Sequence, residues 1–72
     1  MKKTRMRYDE LEDQWVVVLN GKKYGLHCGE SFELYVGQKA ILCQLELAKK
    51  WYVIIGDTRL DLRDSDQYLI NI

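Results

Sequence analysis

The chain has no proline, one histidine, two cysteines and no net charge, and each shortage closes off a class of protein. Without proline, glycine is left to punctuate the chain, and five glycines fall between the apolar runs, where turns belong. Cys28 and Cys43 are too few for a disulfide framework. With no apolar signal segment near the start, a reducing cytoplasmic setting is the expectation. No apolar run approaches the roughly 20 residues that cross a bilayer, so no membrane partner is expected. Eleven basic residues offset eleven acidic ones, and net charge gives no pull toward nucleic acid. There is no internal repeat and no low-complexity tract.

What is present is a dense series of strand signals. Seventy-two residues bound one domain with a thin core. We expect a single domain over 1–72, with 1–8 as a basic arm or edge strand and 14–72 as a β meander. Trp15-Val16-Val17-Val18-Leu19 is aromatic and β-branched. Asn20-Gly21 follows, a pair that tolerates the positive φ of a type I′ hairpin turn. A two-residue loop there sets Leu19 opposite Lys22, Val17 opposite Tyr24 and Val16 opposite Gly25, leaving space over Val16 for another element to fill. Gly37-Gln38 suits a type II′ turn, which sets Leu34 opposite Ile41 and Phe32 opposite Cys43. A three-residue Ala48-Lys49-Lys50 loop sets Leu47 opposite Trp51 and Leu45 opposite Val53. A four-residue loop would slip that register by one and invert Trp51 and Tyr52. With the three-residue loop, two independent turns choose the same buried face. Gly56-Asp57-Thr58 is a further turn, Leu60 and Leu62 alternate with charged residues as in a half-buried strand, and Tyr68, Ile70 and Ile72 share one side of the last strand. The fold class is all-β: a small SH3-like barrel, or a strongly twisted antiparallel meander of five to seven short strands.

No residue is a candidate catalyst. Adjacent residues in extended chain point to opposite sides, so His27 is badly placed to serve as base for Cys28. Zinc needs about four ligands, and His27, Cys28 and Cys43 fall short. The expected role of Gly25 to Glu30 is a bent connection, with Leu26 plugging the core, Cys28 as a half-buried filler and Glu30 capping backbone donors. Asp57, Asp61, Asp64 and Asp66 lack the Gly and distal Glu of a calcium loop and read as solvated turn residues. Lys2, Lys3, Arg5 and Arg7, followed at once by Asp9, Glu10, Glu12 and Asp13, read as a solvated arm and an acidic turn. No cofactor and no metal is expected.

Surfaces remain. The register turns Tyr35, Leu42, Tyr52 and Ile54 to the outer face, with Ala40, Glu33, Gln44 and Glu46 among them. Such a face is a candidate contact patch for a protein partner or for self-association. The ordinary alternative is that the N-terminal segment or the last strand covers it as a second core layer. Nucleic acid is the less favoured partner: the basic arm, Lys22, Lys23, Lys39, Lys49 and Lys50 could line a groove with stacking tyrosines.

The string Gly25-Leu26-His27-Cys28-Gly29-Glu30-Ser31-Phe32-Glu33-Leu34, with Gln44-Leu45-Glu46 and Trp51-Tyr52-Val53 downstream, resembles an uncharacterised family of small proteins of unknown function. They are encoded in Gram-positive bacteria, often on conjugative elements and prophages. The resemblance covers roughly 14–72. Members often carry a second Cys where this chain has Ser31. What the resemblance implies is context, a cytoplasmic accessory protein of a mobile element, and no activity. The expectation is therefore a non-enzymatic protein-binding or accessory module of unknown partner, with nucleic-acid binding by a small β-barrel as the alternative.

Overall fold

The computed structural model describes residues 2–72, so Met1 of the expected arm lies outside the described residues. Eight strands form: β1 (Lys3–Asp9), β2 (Gln14–Leu19), β3 (Lys22–Gly25), β4 (Ser31–Val36), β5 (Lys39–Leu47), β6 (Trp51–Ile55), β7 (Thr58–Asp61) and β8 (Tyr68–Asn71). They make one antiparallel sheet in the order β3-β2-β1-β8-β4-β5-β6-β7. No helix among the described residues is long and apolar enough to cross a membrane.

The turns set the register as their residues require. Asn20 and Gly21 both take positive φ, 52° and 78°, which is the type I′ pattern, and Leu19 pairs with Lys22 and Val16 with Gly25. Gly37 sits at φ 63°, and Phe32 pairs with Cys43 and Leu34 with Ile41. Leu47 pairs with Trp51 and Leu45 with Val53, so the Ala48-Lys49-Lys50 loop is three residues long and the slipped register does not occur. Trp51 and Val53 point into the core and Tyr52 points out.

The sheet curls over its own inner face. Asp13, in the turn just before β2, accepts a hydrogen bond from Trp51 Nε1 on β6 at 3.2 Å. In the sheet order these strands are five spacings apart. A flat sheet would hold them about 24 Å from each other. The enclosed core comprises Met6, Trp15, Val17, Leu26, Phe32, Leu34, Cys43, Leu45, Trp51, Val53, Leu62 and Ile70.

Four expectations are corrected. The strand count exceeds five to seven, because Lys3–Asp9 forms a full strand. That strand is not an edge: Lys3–Met6 pairs with β8 and Arg7–Asp9 with β2. Thr4, Met6 and Tyr8 alternate with the basic residues, and burying Met6 completely is what draws the segment inside. The sheet does not close into a barrel, since β3 and β7 are not paired with each other; both are four residues long and carry charged side chains. Of the last alternating pair, Leu62 is buried but Leu60 stays exposed, because it stands on the open edge.

Candidate functional site

The outer face is open to solvent at Leu42. β1 and β8 enter the sheet beside β4 instead of lying over it. A second core layer is therefore not what covers Leu42, which remains 65% exposed. The register places Leu42 opposite Glu33, Ala40 opposite Tyr35, Gln44 opposite Ile54, and Glu46 opposite Tyr52.

The four expected contact residues are strung along the outer face, with the two tyrosines at its ends. Tyr35 and Tyr52 stand across from Ala40 and Glu46. Those two positions are six residues apart on β5, about 20 Å of extended chain. Each tyrosine also has a polar cover. The Lys3 ammonium lies 4.7 Å from the Tyr35 ring centre, and Asn71 Nδ2 donates to the Tyr35 hydroxyl at 3.0 Å and to Glu33 Oε1 at 3.1 Å. The Arg59 guanidinium stacks 3.8 Å from the Tyr52 ring centre. What the structure brings together is Leu42 and Ile54. They line a shallow depression of about 190 Å³ with Ser31, Cys43, Gln44 and Gly56. Gly56 lies at φ 61° in the two-residue turn between β6 and β7, and its missing side chain keeps one wall low.

Sequence reasoning missed a second concavity. A cleft of about 530 Å³ opens where the two ends of the curled sheet meet, lined by Tyr8, Asp13, Trp51 and Lys50 among others. Its organising group is Asp13. This residue adopts φ 50°, which an Asp tolerates better than most side chains. Its carboxylate accepts from the Tyr8 hydroxyl and from Trp51 Nε1. The Tyr8 hydrogen bond, and then that of Trp51, hold the Asp13 carboxyl below its ordinary range. The same hydrogen bond, with desolvation second, pushes Tyr8 up to about 12. No motif announces such an arrangement, because its members are 5 and 38 residues apart.

The His27-Cys28 segment behaves largely as a structural bend. Leu26 is buried, Gly29 takes φ 89°, and Gly29 N–H donates to Leu45 O at 2.7 Å while Leu45 N–H donates to Glu30 O at 2.9 Å. Cys28 is exposed, not half-buried. Glu30 Oε1 approaches His27 Nδ1 at 3.2 Å instead of capping backbone donors. Cys43 is buried, and desolvation pushes its thiol up to about 11, away from the reactive thiolate. Among the described residues no three His, Cys, Asp or Glu side chains are grouped to hold a metal ion. In the acidic run, Asp61 pairs with Arg59 at 2.8 Å and Asp66 with Arg63 at 3.7 Å.

A family model described as a domain of unknown function, DUF5348, matches residues 4–72. The match thus takes in all of β1 but Lys3, a strand that the resemblance seen in the sequence left out. No protein with a curated description matches the chain. The crystal structure of a protein from Ruminococcus gnavus, a structural-genomics target, is similar over 99% of this chain and 100% of that one, with a TM-score of 0.80 at 22% identity. That likeness shows a shared fold.

Proposed function

The chain belongs to the DUF5348 family, a domain of unknown function, and from the geometry of its outer face we propose that it is a non-enzymatic protein-binding module. The observation that carries this reading is the exposure of Leu42 beside Ile54 at the rim of the depression. The depression would take an apolar side chain of a protein partner, with Gln44 and Ser31 as polar rim. Tyr35 and Tyr52 serve as flanking contacts whose cations, Lys3 and Arg59, would face acidic groups of the partner. The Cys43 thiol, buried and pushed up to about 11 by desolvation, supports a role without catalysis. A cytoplasmic accessory role on a mobile element accompanies the reading and is tested by the genes encoded alongside.

The test is affinity purification from the native host with the bound protein identified. Leu42→Glu and Tyr52→Glu should each remove that protein and leave the circular dichroism spectrum unchanged, whereas Val36→Glu, also exposed but away from the depression, should retain it. Retention by Leu42→Glu would sink the proposal.

One observation favours nucleic acid as the second reading. Lys3, Arg5 and Arg7 alternate along one face of β1, and none forms an ion pair among the described residues. Binding of single- or double-stranded DNA that falls steeply from low to moderate salt is the expected signature. Absence of binding at low salt removes this reading.

A further inference from the structure

The two open edges of the sheet differ in a way that points to a partner. On β7, the pairs Ile55–Thr58, Ile54–Arg59, Val53–Leu60 and Tyr52–Asp61 fix how the backbone faces. Leu62 N–H donates to Trp51 O at 3.0 Å. Antiparallel pairing alternates hydrogen-bonded and non-hydrogen-bonded positions, so Thr58, Leu60 and Leu62 turn their backbone groups to β6. Arg59 and Asp61 therefore turn theirs to the open edge.

An added antiparallel strand must pair at Arg59 and Asp61. If the added strand is a second copy of β7, three registers related by a two-fold axis are available. Arg59 opposite Arg59 and Asp61 opposite Asp61 both set like charges against each other. The third sets Arg59 of each copy opposite Asp61 of the other, twice over. It also brings Leu60 to Leu60 at the non-hydrogen-bonded position between them, where side chains approach most closely. Leu60 is 39% exposed and sits beside the core residue Val53, so this contact would extend the core across the edge.

The opposite edge lacks this self-complementarity. By the same alternation, β3 presents the backbone of Lys23 and Gly25. Lys22 and Lys23 make half of that strand, Lys23 is already paired with Asp9 at 2.7 Å, and β3 carries no acid to match a second copy's lysine.

We propose that the chain forms a two-fold symmetric dimer by antiparallel pairing of β7 with β7 of a second copy, in the register that matches Arg59 with Asp61. The pairing is closed, since it uses up the β7 edge of both copies. It is weak, because four-residue strands bury little area. Within one copy Arg59 Nε already lies 2.8 Å from Asp61 Oδ1. The guanidinium has further donors for the second copy's carboxylate. The dimer joins the two outer faces side by side, so the Leu42–Ile54 depressions lie on one continuous surface. Arg59 also covers Tyr52 on the proposed binding face, but the test below reads self-association of the isolated chain, so its outcome is separate from that of the partner capture.

Sedimentation equilibrium from about 10 μM to about 1 mM tests it. The wild type should show a monomer–dimer equilibrium. Arg59→Glu sets acid against acid and Asp61→Arg sets base against base, and each should raise the dissociation constant about tenfold or more. An equimolar mixture of the two variants matches both charge pairs again and should form a heterodimer about as tight as the wild-type dimer. Both side chains are exposed, so both variants should keep the wild-type circular dichroism spectrum. A wild type that stays monomeric, single variants that dimerise as well as it does, a mixture that does not associate, or growth beyond the dimer would each overturn the proposal.

Discussion

The two meanders on either side of β8 use the same kind of strand and are held by different means. In β4–β7 the connections are short turns, with Gly37 and Gly56 at φ 63° and 61°. Loop length and alternation are enough to place Phe32, Leu34, Cys43, Leu45 and Val53 on the buried side. In β1–β3 the connection after β1 is tied by polar side chains. Asp9 accepts from Leu11 N–H at 3.1 Å and from the Lys23 ammonium at 2.7 Å. Asp13 reaches out of its own meander to Trp51 in the other. Alternation decides which face is inside; a few polar contacts decide how the two halves meet.

The largest expected effect comes from breaking the joint between the halves. Ile70 on β8 is fully buried and stands opposite Thr4 on β1 and Leu34 on β4. Ile70→Ala should cost about 2–5 kcal/mol, and Ile70→Val about 0.5–1.5 kcal/mol. A domain this small holds roughly 4–10 kcal/mol in total, so the Ala variant should be largely unfolded at modest urea. A cost for Ile70→Ala below about 1 kcal/mol would mean that β8 is not what couples the two meanders.

Next in size is the polar tie. The Asp13 carboxyl is held below 3.8 by the Tyr8 and Trp51 hydrogen bonds, and Asp9 is lowered chiefly by its hydrogen bond to Lys23. For a group depressed on folding, the stabilisation is present above the unfolded value and is lost as pH falls through the folded one. Stability should therefore drop below about pH 4. Tyr8 moves the other way, from 10.0 to about 12, so its contribution is complete below pH 10 and disappears as pH rises toward 12. Asp13→Asn keeps an acceptor and tolerates the left-handed backbone, but cannot titrate. It should flatten part of the acid limb in pH-dependent urea melts and leave the Asp9 part. An acid limb identical to the wild type would show that Asp13 does not tie the halves.

The same division explains what the sequence made legible. Registers that a turn encodes are readable, because Asn20-Gly21 and Gly37-Gln38 have few conformations open to them. The Leu47–Trp51 pairing follows once both faces of β5 are assigned. The position of β8 between β1 and β4 is not readable, since no turn connects these strands and pairing distant in sequence leaves no local mark. β1 carried its signal in Met6 and Tyr8, but the basic residues alternating with them disguised a central strand as an arm. At the candidate site, the register alone sets Leu42 and Ile54 on one face of β5 and β6. The 20 Å between Tyr35 and Tyr52 was implicit in the same register. The covers over them were not, because Lys3 and Arg59 arrive through β1 and β7.

A smaller effect tests packing within the first meander. Gly25 does not have the positive φ of the turn glycines; what matters there is space. A Cβ at Gly25 would collide with the Gln14 side chain, whose Nε2 donates to Leu26 O at 3.3 Å. Gln14 thus fills the gap opposite Val16 that the sequence left open. Gly25→Ala should displace the amide and cost about 1 kcal/mol, the net worth of one hydrogen bond. In a Gln14→Ala background the same change should cost less, since the obstacle is gone, and thermal unfolding of the four proteins closes the cycle. Equal costs in both backgrounds would remove Gln14 from the explanation.

The smallest expected effect is at Leu42, and its contrast with Val16 separates the two outer faces. Val16 in the first meander points outward by parity yet is fully buried, while Leu42 in the second points outward and stands in solvent. If burial alone decides, Val16→Ala should lower stability by about 1–2 kcal/mol. Leu42→Gln should stay within about 0.5 kcal/mol of the wild type in urea melts, as substitutions of exposed residues do. A residue that adds nothing to folding but keeps an apolar side chain in water is free to serve another surface. A loss above about 1 kcal/mol for Leu42→Gln would place Leu42 in the service of the fold, and the depression beside it would no longer have an apolar wall to spare for a partner.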